Sequence, residues 1–180
     1  MLLPRIDDDL AARTRVAGCP VCGGRLDVAN YPRKPRGADG LGDDYDWRRS
    51  FCCAVEGCRR RCTPASVRFL GRKVYVGAVV VLASALARGP TKTSVTKLSA
   101  LLGITRRTLA RWCRWWSTTF ATSRFWESLR GRFVPEVAVA TMPKSVLSRI
   151  TASGKEPAVV ALLRLLAPIS TRPGLEASAM

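Results

Sequence analysis

The sequence predicts a mainly α-helical fold that opens with a small cysteine-rich β module. Three observations predict it. Two separated cysteine clusters, CPVCGG and FCCAVEGCRRRC, sit in turn-rich chain with no helical period. The segment VTKLSALLGITRRTLARWCR has the apolar spacing of two short helices around a glycine turn. Past the cysteines, the apolar residues follow a helical rather than an alternating period.

Composition narrows the function class. The chain has 180 residues, a 47% hydrophobic fraction and a formal net charge of +17. Its charge is uneven: residues 57–132 carry 16 basic groups against Glu127 alone, whereas residues 1–56 carry 9 of each sign. Cations so crowded repel one another unless an external polyanion lies close, and nucleic acid is the expected partner. The triple Asp at Asp7, Asp8 and Asp9 interrupts any secretory signal near the start. The longest apolar stretch, Val74 to Ala87, is shorter than the roughly 20 residues of a membrane-spanning helix. No membrane role and a cytoplasmic, nucleoid-associated location are therefore expected.

Taken in order, residues 1–17 read as a flexible arm, because apolar and charged residues alternate without sustained period. Residues 18–66 read as short hairpins around a metal, with Pro35 to Asp46 as an exposed loop. Residues 67–120 read as a helical domain, with a first helix from Val67 to Arg88 stopped by Gly89 and Pro90. Residues 121–167 form a helical extension with candidates at Ser123–Arg130, Pro143–Ile150 and Glu156–Leu166. Residues 168–180 read as a disordered tail.

The cysteines point to a metal. Cys19-x2-Cys22 followed by two glycines puts two thiolates on one tight turn, and the backbone can approach the sulfurs there. Cys52, Cys53, Cys58 and Cys62 compete for the two remaining places of a tetrahedral site. Strand alternation puts Phe51 and Cys53 on one face and turns Cys52 away, which favours Cys53 and Cys58. Cys62 then reads as a small packed hydrophobe, and Cys113 as a helical thiol. Cys52 and Cys62 remain alternatives to Cys53. With four thiolates and no His in the chain, one structural Zn²⁺ in a zinc ribbon is expected, with no open position for water.

The segment Val95–Arg114 meets the demands of a helix-turn-helix. Leu98, Ser99, Leu102, Gly103 and Ile104 supply the inner face, the close approach, the turn and the apolar residue after it. Leu109 and Trp112 supply the buried side of the second helix. Thr105 can cap that helix, and Arg106, Arg107, Ala110, Arg111 and Arg114 are expected to face the major groove. Lys92 and Lys97, with Thr91 and Thr93, are expected at phosphate. Arg33, Lys34 and Arg36 on a stiff proline-flanked loop, and Arg59, Arg60 and Arg61 after a ligand, are expected to extend the footprint on double-stranded DNA.

The order CPVCGG, then FCCAVEGCRRRCTPASV, then a helix-turn-helix resembles the amino-terminal DNA-binding part of bacterial insertion-sequence transposases, over Cys19–Trp116. The resemblance implies Cys19, Cys22, Cys53 and Cys58 as ligands, binding of element ends, and a transposase or recombinase as partner. Cys62 departs from it, standing where such families usually have an aromatic. The nuclease core of such proteins needs several carboxylates for two Mg²⁺ ions. No Asp follows Asp46, and only Glu127, Glu136, Glu156 and Glu176 remain, so no enzymatic activity is expected. Two other readings stand beside this one. An adaptor would bind a protein through the helix bearing Val159, Leu162, Leu163, Leu165 and Leu166. An RNA-binding zinc ribbon fits less well, because the deep groove of A-form RNA does not admit a helix.

Overall fold

The computed structural model describes residues 2–33, 42–69, 77–87, 96, 100, 103–152 and 157–171. It is mainly helical with two small antiparallel sheets, and it divides into two compact units. One unit is built from chain preceding Gly77 together with Leu166–Thr171; the other is Gly77–Leu165.

The first unit opens with α1, Leu2–Ala17. Its buried residues include Pro4, Asp7 and Ala11, which recur at helical spacing and form one inward stripe. Next come β1 (Leu26–Val28), β2 (Tyr31–Pro32), β3 (Trp47–Arg48), β4 (Phe51–Cys53) and β5 (Arg61–Cys62). β4 lies between β1 and β5, pairing Leu26 with Cys53 and Phe51 with Cys62, while β2 pairs with β3. Ala11, Cys19, Leu26, Phe51 and Cys53 form one buried cluster, with Cys58 and Cys62 packed against it. The apolar members of this cluster are Ala11, Leu26 and Phe51, and Ile6, Tyr45, Val67 and Phe69 are buried in the same unit.

Val67–Phe69 is not helical; it runs through the interior of this first unit, and all three side chains are buried. Its fixed point is Asp7. That carboxylate accepts from Ser66 Oγ, from the Val67 amide at 2.7 Å and from Arg68 Nε at 2.7 Å, with both charged side chains almost fully buried. Arg48, also buried, donates to the Pro64 carbonyl. The guanidinium carbons of Arg33, Arg48 and Arg68 lie 5.1, 5.8 and 5.2 Å from the Phe69 ring centroid. Desolvation pushes the Arg48 guanidinium below its ordinary pKa, and the nearby Asp7 charge works against that shift.

The second unit contains α2 (Gly77–Ala87), α3 (Arg106–Trp115), α4 (Arg124–Arg130), α5 (Lys144–Ala152) and α6 (Ala158–Leu166). α2 packs against α3 and α5, and its Val80, Val81 and Ala83 are buried. Thr105 caps α3 by accepting from the Thr108 amide at 3.2 Å, and Ser123 caps α4 by accepting from the Trp126 amide at 3.1 Å. α3 runs on into a π-helical turn, Trp116–Phe120, which keeps Trp112, Trp116 and Phe120 buried in line. Trp115, Trp116, Phe120, Phe125, Trp126 and Phe133 form a continuous chain of ring contacts.

Several expectations need correcting. Residues 2–17 are a docked helix rather than a flexible arm, because Ala11 packs into the cysteine-rich cluster and Asp7 is bonded to Ser66, Val67 and Arg68. The helix expected from Val67 begins at Gly77 among the described residues, since the chain at 67–69 serves the buried Asp7 network instead. Part of the expected Pro35–Asp46 loop is a single helical turn, Asp43–Asp46, that buries Tyr45. At the other end, Ala167–Ser170 is a helical turn whose Ser170 Oγ accepts from the Ser66 amide at 2.8 Å, so residues 168–171 are not part of a disordered tail. Residues 172–180 lie outside the described residues.

The Asp7 network gives the first test. Asp7→Asn leaves the buried Arg68 guanidinium without its carboxylate, and denaturant unfolding should show a loss of about 3–5 kcal/mol. Asp8→Asn, which breaks only the exposed pair with Arg49, should cost about 1 kcal/mol or less.

Candidate metal centre and basic helix face

Two backbone turns bring four sulfurs together. In the first, the Gly23 amide donates to the Cys19 carbonyl at 2.8 Å and the Cys19 amide to the Gly24 carbonyl at 2.9 Å. In the second, the Cys53 amide donates to the Arg60 carbonyl at 2.9 Å and the Cys58 amide to the Val55 carbonyl at 3.1 Å. Cys19, Cys22, Cys53 and Cys58 thereby place their Sγ atoms within 4.8 Å of one another. Cys22 and Cys53 stand 3.4 Å apart, and Cys19 and Cys58 stand 3.7 Å apart. A metal bound tetrahedrally at about 2.3 Å from each sulfur needs edges of roughly 3.8 Å, so the four can hold one ion with small adjustment.

Gly24 is where the turn has no room. A Cβ there would lie 2.3 Å from Val55 Cγ2, 3.3 Å from Cys22 Sγ and 3.4 Å from Cys53 Sγ. The register argument from alternation picks the cysteines that the fold gathers. Cys53 is fully buried inside the cluster, whereas Cys52 points to the other face and donates to the Arg59 carbonyl at 3.4 Å. Cys62 packs beside the cluster and is not one of the four.

The thiols are not equivalent. Amides of Val21 and Cys22 aimed at the Cys19 sulfur lower its pKa to about 7. Desolvation pushes Cys53 up to about 12. Desolvation also raises Cys62, with the nearby Cys19 sulfur adding to it. Backbone amides thus favour the thiolate at Cys19, whereas burial favours the protonated thiol at Cys53.

The expected DNA-contacting residues divide into groups. Arg107, Ala110, Arg111 and Arg114 are exposed on α3, on the side away from the buried Leu109 and Trp112. Arg106 instead donates to Thr96 Oγ1 at 2.8 Å. Arg59 and Arg60 are exposed immediately after Cys58, with Arg59 in the left-handed region at φ 43°. Arg61 is engaged by protein: Nη1 donates to the Ala29 carbonyl at 3.0 Å and to Ser50 Oγ at 3.1 Å, and the guanidinium faces the Tyr31 ring. Arg33 is half-buried against Phe69. Lys34, Arg36, Lys92 and Lys97 lie outside the described residues, as does most of the expected first helix of the pair, of which Thr96 and Ala100 are helical. Leu162, Leu163 and Leu166, expected on a partner-binding helix, are buried within the chain.

Sequence reasoning missed the Asp7, Arg48 and Arg68 network. A signal for it was present: Arg68 lies between the apolar Val67 and Phe69, in a stretch with no acid from Gly57 to Trp126. A buried arginine there requires a carboxylate from elsewhere in the chain. Among the described residues no helix is long and apolar enough to cross a membrane. No family model matches the chain, and comparison with curated proteins and with solved structures returns no significant match.

Metal binding converts thiols to thiolates and releases their protons, so affinity must fall as pH falls. Competition titrations should therefore show affinity rising from pH 6 to pH 9 as the four thiols give up their protons to the metal. Cys19→Ser or Cys53→Ser should abolish stoichiometric binding of one ion per chain, while Cys52→Ser and Cys62→Ser should retain it.

Proposed function

We propose that this chain is a sequence-specific duplex-DNA-binding protein. In this reading α3 is the recognition helix of a helix-turn-helix, and the four-cysteine site holds one structural Zn²⁺ in a zinc ribbon. The observation that carries the reading is the α3 face: Arg107, Arg111 and Arg114 are exposed together opposite Leu109 and Trp112, with no carboxylate on the helix. Among the described residues no salt bridge engages them. Gly103, at φ 58° just before the helix, and Thr105 at its cap supply the turn and start that a helix-turn-helix needs.

Zinc is the ion that best fits four thiolates at tetrahedral spacing, since soft sulfur ligands select it over Mg²⁺ or Ca²⁺. Its role is to tie the two cysteine turns together beside the three-stranded sheet. Arg59 and Arg60, set on the turn after Cys58, would hold phosphate and add affinity without sequence preference. The resemblance to insertion-sequence transposases suggests a mobile-element-associated accessory or regulatory protein without catalysis of its own.

A duplex titrated at increasing salt should lose affinity along a log–log slope of about −0.9 per phosphate contacted. The triple variant Arg107→Ala, Arg111→Ala, Arg114→Ala should keep its circular dichroism spectrum and lose discrimination between selected and scrambled duplexes. Retained discrimination would remove α3 from the recognition role.

A further inference from the structure

The α3 face carries a restricted chemical vocabulary. Arg107 and Arg114 are seven residues apart, which brings them within about 20° of the same line along the helix. Ala110 and Arg111 flank that line, and the buried pair Leu109 and Trp112 lies behind it. These four exposed side chains offer guanidinium donors and one methyl, and no acceptor. Arg106 is set apart from them by its bond to Thr96.

Base edges in the major groove differ in what they require. Guanine presents two acceptors, O6 and N7, which the two donors of one guanidinium fork satisfy together. Adenine pairs an acceptor with a donor, and cytosine offers a donor, so each needs an acceptor from the protein. A face without Asn, Gln, Asp or Glu cannot supply one. Ala110 adds an apolar surface suited to the thymine methyl.

Spacing then fixes the pattern. Seven residues of α-helix advance about 10.5 Å, close to three base-pair steps of roughly 3.4 Å. Resting on the proposed duplex-binding role of α3, we infer that the site contains two guanines about three steps apart, read by Arg107 and Arg114, with a thymine between them whose methyl meets Ala110.

Selection of bound fragments from random duplexes by the full-length, metal-loaded chain should yield this pattern. Replacing either guanine by 7-deazaguanine removes the N7 acceptor and leaves base pairing intact, so each replacement should weaken binding about tenfold. Replacing the thymine by uracil should weaken it by a smaller factor. Arg107→Ala should become insensitive to 7-deazaguanine at one of the two positions and Arg114→Ala at the other. The modified bases test the assignment on the unaltered protein, so it stays falsifiable even if a variant folds poorly. Selective binding that ignores both 7-deazaguanines, or selected sites without paired guanines, overturns the base assignment and leaves duplex binding standing. Failure to retain any duplex at low salt overturns the parent reading as well.

Discussion

A shortage of anions governs this molecule. From Gly57 to Trp126 the chain has no Asp or Glu, yet it places arginines throughout that stretch. Each guanidinium must find an acceptor or remain in solvent, and the described arginines show the range of outcomes. Arg68 reaches the buried carboxylate of Asp7, contributed by the first helix. Arg61 takes a backbone carbonyl and a serine hydroxyl, and Arg106 takes a threonine hydroxyl. The exposed set on α3 finds no such partner within its own helix, and this is the set proposed to meet DNA. The same deficit therefore organises the interior of the first unit and equips the surface of the second.

The metal site answers a different constraint. Among the described residues, the buried cluster at the three-stranded sheet combines Ala11, Leu26 and Phe51 with cysteine sulfur. Four converging thiols are a poor substitute for a hydrocarbon core unless an ion draws them together, because bringing thiolates close without a cation is repulsive. The spread between Cys19 and Cys53 reflects this arrangement: one sulfur is set in a ring of amides and the other is buried at the sheet. Arg59 and Arg60 inherit their position from the same turn, so loss of the ion is expected to loosen them together with the sheet.

How much of this could be read in the sequence depended on distance along the chain. The four sulfurs were legible because strand alternation sorts Cys53 from Cys52, a local rule that the pairing of β4 with β1 and β5 obeys. The cap at Thr105 and the buried pair Leu109 and Trp112 followed from helical spacing. Asp7 was not legible. Its partners lie about sixty residues away, and an Asp in a short charged segment looks solvated until a buried arginine elsewhere is known to need it. Arg61 was misjudged for the related reason that a run of three arginines does not reveal which one a neighbouring strand will engage. The course of Val67–Phe69 was no more legible, because the bonds that hold it run to Asp7, a residue about sixty positions earlier.

Arginine footprinting tests the central claim most directly. The full-length protein would be treated with a dicarbonyl reagent with and without saturating duplex DNA, and modification quantified residue by residue. Arg107, Arg111 and Arg114 should be strongly shielded by the duplex, while the exposed Arg130 and Arg132 beyond α3 should react at an unchanged rate. Equal reactivity of the α3 arginines in both conditions, with DNA demonstrably bound, would contradict the account.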